Sequence, residues 1–187
     1  MRIAHKTFVR GAFVRGAFVR GEALTTYVTK FGSLDHYEKG SIDVIDDDPK
    51  HYAFSNLFEV AAHAKPWEKV AVGKNMQYVL EVIRAEGTSE WRTCAHDEFP
   101  TVLDGEVTLE LVKLDAPAVA ADKEGSVRVD GEPVGRRMGH IVLRHGHMAL
   151  VPANTAYRFA APKASVILLQ TLLGDDTVER WAEICLS

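Results

Sequence analysis

The stretch EVTLELVKL, Glu106 to Leu114, alternates apolar and polar residues with a period of two. This period places Val107, Leu109, Leu111 and Lys113 on one side of a strand and Thr108, Glu110 and Val112 on the other. From about Met76 the same texture recurs in short runs divided by turn residues: MQYVLEVIRAEG, EFPTVLDGEVTLELVKL, GSVRVDGEPVG, GHIVLRHGHMALVP, AYRFAAP and ASVILLQTLL. Several short strands spaced in this way predict an antiparallel sandwich or barrel. Asp104-Gly105 and Asp130-Gly131 read as hairpin signals within it.

Before Met76 the pattern is different. Residues 23–72 read as mixed helical and irregular chain, punctuated by Gly32, Gly40 and Asp48-Pro49. Within them FSNLFEVAAHA, Phe54 to Ala64, predicts a short helix capped by Ser55, with Leu57, Val60 and Ala61 on one face. The run of three aspartates before Pro49 lacks the alternating spacing and closing glutamate of a calcium loop and reads as a solvated turn. The closing GDDTVERWAEICLS predicts a second short helix, capped by Asp175 or Asp176, that buries Val178, Trp181 and Ile184 or Cys185.

The chain opens on FVRGAFVRGAFVRGE, three copies of a five-residue unit from Phe8 to Glu22. A period of five matches neither helix nor strand, and three such copies are too short for a solenoid. They read as a local duplication in a tolerant terminal arm, or as an arm whose Phe8, Phe13 and Phe18 anchor on a partner. The expected organisation is therefore an arm over 1–22, a partly helical extension over 23–75, and a β-rich body with a short C-terminal helix over 76–187.

Composition narrows the function classes. With 187 residues, 47% of them apolar, the chain can bury one sizeable core, which argues against a two-domain enzyme. The net charge is −4 and the basic residues gather nowhere beyond the extreme N-terminus, so neither nucleic acid nor a membrane surface is implied. Two cysteines, Cys94 and Cys185, give no disulfide framework, and no apolar run approaches the roughly 20 residues of a membrane span. Arginine or glycine interrupts the first residues too often for a signal-peptide core, although their basic, acid-free composition leaves a transit peptide open. A cytoplasmic, reducing environment is the expectation.

Two half-motifs carry the chemistry. Glu98 is followed by FPTVLD and Gly105, and Gly146 by HMALV, Pro152-Ala153-Asn154, Thr155-Ala156 and Tyr157. In this spacing the body resembles a cupin, a small jelly-roll barrel, which implies a mainly β fold. In metal-binding cupins the residues six and four before the glutamate are histidines, and a third histidine follows the second motif. Here those places hold Arg92, Cys94 and Tyr157, so Glu98 alone remains of four ligands. A two-His-one-carboxylate iron site cannot be assembled from Arg, Cys, Glu and Tyr, whereas Arg92 can pair with the Glu98 carboxylate in place of a metal.

Two other readings stay open: a self-sufficient metal-dependent cupin enzyme, in which Cys94, His96 and Glu98, spaced by two, would share one strand face, and a ligand-binding cupin with an empty barrel. Nearby cations could lower the Cys94 pKa, although a small buried thiol is the commoner state. His145-Gly146-His147 sits at a turn with its side chains towards solvent. His5, His36, His51, His63 and His140 carry no spacing signal, and there is no G-x-S-x-G elbow, phosphate loop or GxGxxG.

The whole chain resembles more specifically the small, or α, subunit of two-component iron(II) hydroquinone 1,2-dioxygenases. The resemblance rests on its size, on the extension Ser55 to Arg92 (SNLFEVAAHAKPWEKVAVGKNMQYVLEVIRAEGTSEWR), and on the degenerate barrel behind it. It implies a metal-free chain without catalytic residues, paired with a large cupin-type subunit in an (αβ)2 assembly. The large subunit would hold Fe(II) and cleave hydroquinone to 4-hydroxymuconic semialdehyde. Tyr27, Phe31, Tyr37, Phe54, Phe58 and Trp67, aromatic residues of the extension, are the candidate partner contacts; the competing reading for each is packing against the barrel.

Overall fold

A computed structural model describes residues 31–47 and 55–186. Two short helices, α1 (Leu57–His63) and α2 (Trp181–Leu186), flank nine strands: β1 (Lys69–Asn75), β2 (Tyr78–Thr88), β3 (Arg92–Thr93), β4 (Phe99–Asp104), β5 (Glu106–Leu114), β6 (Val127–Arg128), β7 (Gly135–Arg144), β8 (Thr155–Leu172) and β9 (Thr177–Val178). All nine belong to one sheet, in which only the β1–β9 contact is parallel.

The organiser is β8. Its 18 residues would reach about 60 Å if straight, so the strand must curl, and its neighbours change along its length. Residues 155–160 pair with β5, residues 166–170 with β4, and β2 runs antiparallel along most of it. The separate runs AYRFAAP and ASVILLQTLL are thus one strand.

Asp104-Gly105 is not a hairpin. β4 and β5 do not pair with each other; each pairs with a different half of β8, and the dipeptide is the corner between them. Gly105 has φ +78°, and a Cβ there would lie 2.1 Å from Ser165 Oγ. That hydroxyl instead accepts the Glu106 N–H at 3.3 Å, so the bend needs a residue with no side chain. Asp130-Gly131 likewise joins strands that do not pair: β6 pairs with β3, and β7 with β5.

Alternation holds along β5 as far as Leu111. Val107 and Leu109 are fully buried in the barrel core with Val102, Tyr157, Phe159, Ile167 and Leu169. A register shift against β7 then falls between Leu111 and Val112. Val112 packs separately with Trp91 and Ala156, and Lys113 is exposed rather than inward. A bulge rotates the side chains that follow it, which is why the pattern of period two ends there.

The sheet begins at Lys69, seven residues before the β texture becomes obvious, because β1 pairs with β2. Its outer face is covered by a second apolar layer in which Val60 and Ala61 of α1, Ala64 just after it and Ile184 of α2 pack on Val70, Val82 and Val166. The cap of α1 is Asn56, not Ser55: Asn56 Oδ1 accepts the Phe58 N–H at 2.9 Å, while Ser55 Oγ lies 3.4 Å from Glu59 Oε2. Nor do the terminal aspartates cap α2. Asp175 pairs with Lys123 and Asp176 with Arg92, and Val178 lies in β9 rather than on the helix.

Candidate functional site

The two half-motifs meet at one end of the barrel. Glu98 and Val151 exchange backbone hydrogen bonds of 3.0 and 2.9 Å, the Asn154 N–H reaches Cys94 O at 2.8 Å, and the Ala153 N–H reaches Asp97 Oδ1 at 2.8 Å. Asn154 stands at φ +57°, a left-handed position that Asn tolerates better than most residues. Register opposite Arg92 on β3 brings in Tyr157 from β8.

Glu98 is the centre of this end and is wholly buried. Its Oε1 accepts from the Thr171 hydroxyl at 2.6 Å, Thr171 Oγ1 lies 2.9 Å from His96 Nε2, and the Leu172 N–H approaches that same nitrogen at 3.4 Å. Glu98 Oε2, His96 Nδ1 and the Tyr157 hydroxyl are buried without a hydrogen-bond partner among the described residues. Cys94, also fully buried, donates its thiol to His96 O at 2.9 Å. Burial pushes the thiol pKa far up and the Glu98 charge pushes it further, so the group is held protonated. The Tyr157 phenol is raised in the same way, by burial first and by Glu98 second. The neighbouring cations that would have activated Cys94 are too weak a counterweight.

Of the four residues at the degenerate ligand positions, Cys94, Glu98 and Tyr157 come together and Arg92 does not. Arg92 turns away from Glu98 and pairs with Asp176; its Nε donates to Ser126 Oγ at 3.0 Å and a terminal nitrogen to Ser126 O at 3.2 Å. The carboxylate that Arg92 was expected to neutralise instead takes one hydrogen bond, on Oε1, from the neutral Thr171. The alternative trio does converge, with ligand atoms of Cys94, His96 and Glu98 within 4.8 Å of one another.

The donor set nevertheless fits an oxygenase-type iron poorly. Such a site asks for two imidazoles and a carboxylate. Here the second imidazole is replaced by a thiol held protonated, and the single one is hydrogen-bonded through Nε2. His145 and His147 are exposed, and His147 Nδ1 accepts the Arg144 N–H at 3.1 Å.

Sequence reasoning missed a second polar centre in the barrel. Lys69 and Glu81, 5% and 0% exposed, form an ion pair of 3.1 Å. Lys69 Nζ also donates to Ser126 Oγ at 3.1 Å, and the Thr177 hydroxyl donates to Glu81 Oε1 at 2.6 Å. The signal was present in VLEVI, where Glu81 occupies the inward phase between Val79 and Ile83.

Among the aromatic residues proposed to meet a partner, Tyr27 and Phe54 lie outside the described residues, as do Phe8, Phe13 and Phe18. Phe31 projects, 69% exposed, with its ring edge-on to His145 at 5.6 Å. Tyr37 is half-buried, and Phe58 packs in the layer covering the sheet. Trp67 stacks on Phe159 with centroids 6.4 Å apart and planes 8° from parallel.

A single curled, almost wholly antiparallel sheet with two motif loops meeting over a buried glutamate defines a cupin-type jelly-roll barrel. Solved structures place it more narrowly. A chain of hydroquinone 1,2-dioxygenase PnpCD, crystallised with Cd2+ and 4-hydroxybenzonitrile, is 51% identical with a TM-score of 0.82; the match covers 88% of this chain and all of that one. A chain of the hydroquinone 1,2-dioxygenase from Sphingomonas sp. TTNP3 with 4-hydroxybenzoate bound is 53% identical with the same TM-score, over 86% of this chain and 98% of the other. The chain belongs to this family, as the small subunit of a two-component hydroquinone 1,2-dioxygenase. A longer chain of PnpCD, crystallised with Fe3+, shares only the fold: 11% identity and a TM-score of 0.53 over 73% of this chain and 38% of that one. No family model and no curated protein matches the sequence.

Proposed function

We propose that this chain is the non-catalytic, metal-free subunit of an (αβ)2 hydroquinone 1,2-dioxygenase. In that assembly the larger cupin-type subunit carries Fe(II) and cleaves the ring of hydroquinone to 4-hydroxymuconic semialdehyde, an extradiol-type reaction. The observation that supports it most is the pair of likenesses: half-identity over the whole length of one chain of these enzymes, and likeness of fold alone to a second, longer chain. The donor chemistry points the same way, because Arg92 is committed to Asp176 and the groups beside Glu98 are held protonated.

The contribution of this chain is then positional. Covering the partner's active-site mouth excludes water and holds loops in productive geometry, effects that govern rate strongly when alignment is tight. Phe31 is the best exposed of the candidate contacts among the described residues, and Tyr27, Tyr37, Phe54, Phe58 and Trp67 remain candidates for the same role.

One observation favours a second reading. The grouping of Cys94, His96 and Glu98 within 4.8 Å suits a self-sufficient metal enzyme. Metal analysis of the chain purified alone and co-expressed with the larger subunit separates the two. The expected result is no stoichiometric metal in the isolated chain, with iron and ring cleavage appearing only in the complex. One metal per isolated chain, lost on Cys94→Ser, overturns the first reading in favour of the second.

A further inference from the structure

A cavity of about 290 Å³ opens beside Tyr157, and its walls include Trp67, Lys69, Ile83, Ser89, Arg92 and Phe159. About 150 Å³ is enough to hold a benzene ring, so the space fits one substituted ring. Its apolar side is aromatic: Trp67 and Phe159 are stacked, and Tyr157 meets Phe159 edge-on at 5.5 Å. Trp67 holds its place at φ +65°, with its N–H on Arg84 O at 2.9 Å. A bulky residue seldom adopts that conformation, and the surrounding contacts must hold it there.

The polar side carries two cations, Lys69 and Arg92, and one carboxylate, Glu90, which is paired with Arg128 at 2.9 Å. Lys69 and Arg92 converge on the single hydroxyl of Ser126, at 3.1 and 3.0 Å. Lys69 is answered by Glu81, which is fully buried, but the counter-ion of Arg92 is Asp176, whose side chain is 55% exposed. Water screens that exposed carboxylate, which leaves Arg92 the less fully compensated cation at the cavity wall.

We propose that this cavity binds a monocyclic aromatic carboxylate, with its ring against Trp67 and Phe159 and its carboxylate on Arg92. Stacking supplies recognition of the ring, and the guanidinium nitrogen not engaged by Ser126 or Asp176 supplies a charge-assisted partner for the oxygens. The site uses no metal and is independent of whether the chain serves a dioxygenase.

The test is equilibrium dialysis of labelled benzoate against the full chain, together with whatever partner it retains, counting bound ligand per copy. Thr88, an exposed residue on the cavity wall, allows the mouth to be blocked from outside the core with Thr88→Trp. The expected result is one benzoate fewer per copy in Thr88→Trp than in the wild type. Arg92→Gln should weaken that site by about tenfold or more, the size of a hydrogen bond to a charged group. Benzyl alcohol and cyclohexanecarboxylate, lacking the charge and the aromatic ring respectively, should bind more weakly than benzoate. Thermal melting of each variant separates loss of the site from loss of the fold. An equal site count in the wild type and a folded Thr88→Trp chain overturns the proposal, as does equal affinity for benzoate and benzyl alcohol.

Discussion

Two buried polar centres share one barrel and are built on opposite principles. Around Lys69 each charge faces an opposite charge: Lys69 with Glu81, and Arg92 with Asp176, tied together through Ser126 and Thr177. Around Glu98 no opposite charge is in contact closer than His96 Nε2 at 4.0 Å. One carboxylate oxygen there, a phenol and an imidazole nitrogen lack hydrogen-bond partners among the described residues, whereas Glu81 Oε2, also without a well-directed hydrogen bond, still lies 3.1 Å from the Lys69 ammonium. The first centre joins strands far apart in sequence and has the character of a structural clamp. The second gathers Cys94, His96 and Glu98 within 4.8 Å of one another and carries unmet hydrogen-bonding capacity. Burial of the central carboxylates, complete at both Glu81 and Glu98, does not distinguish the two centres; partnering does.

The sharpest way to break this contrast is to remove one charge from the clamp. Lys69→Met leaves the Glu81 carboxylate buried and uncompensated, which costs about 3–5 kcal/mol in comparable pairs and lowers the Tm by roughly 10 °C or more for a chain of this size. Replacing both, Lys69→Met with Glu81→Met, should recover most of that loss, because a buried pair and an apolar pair of similar volume are often nearly equivalent. Urea unfolding of the single and double variants measures both. A single variant within about 1 kcal/mol of wild type would show that the clamp contributes little.

The matching change at Glu98's end should do much less. Tyr157 is only 1% exposed, and although Glu98 and Ser126 lie within reach of its hydroxyl neither makes a hydrogen bond of good geometry with it, so Tyr157→Phe is expected to shift stability by less than about 1 kcal/mol in either direction. Glu98→Gln keeps an acceptor for the Thr171 hydroxyl and should behave similarly. A loss from Tyr157→Phe as large as that from Lys69→Met would mean that the phenol is partnered in solution and that the two centres are built alike.

What the sequence made legible follows from the range of each interaction. Alternation in EVTLELVKL and the spacings from Glu98 to Gly105 and from Gly146 to Tyr157 are local, and they led to the barrel and to a site without its usual histidines. The corner at Gly105 was misread because an Asp-Gly turn and a one-residue bend look the same until the partner strand is known, and only the approach of Ser165 distinguishes them. Ser55 and Asn56 are equally good caps by type, and the choice fell to where the helix starts. The pairing of Arg92 with Asp176, 84 residues apart, was beyond local reasoning; the carboxylate six residues from Arg92 was the nearer and wrong guess.

That same pair gives the smallest of the expected effects. The Arg92 guanidinium holds the Asp176 carboxyl below its ordinary value of 3.8, by hydrogen bond and by charge, against an opposing push from burial. A carboxyl whose pKa is depressed on folding adds stability that is fully present above its unfolded value and is lost as pH falls through the folded one. Asp176→Asn should therefore lower stability slightly at neutral pH, by a few tenths of a kcal/mol given the exposure of the pair, and should flatten the part of the acid unfolding curve that lies below pH 3.8. Arg92→Gln should flatten the same limb without changing it further when combined with Asp176→Asn, since the two act through one contact. If the acid limb of either single variant matches that of the wild type, Arg92 is not held by Asp176 in solution and is free to swing back towards Glu98.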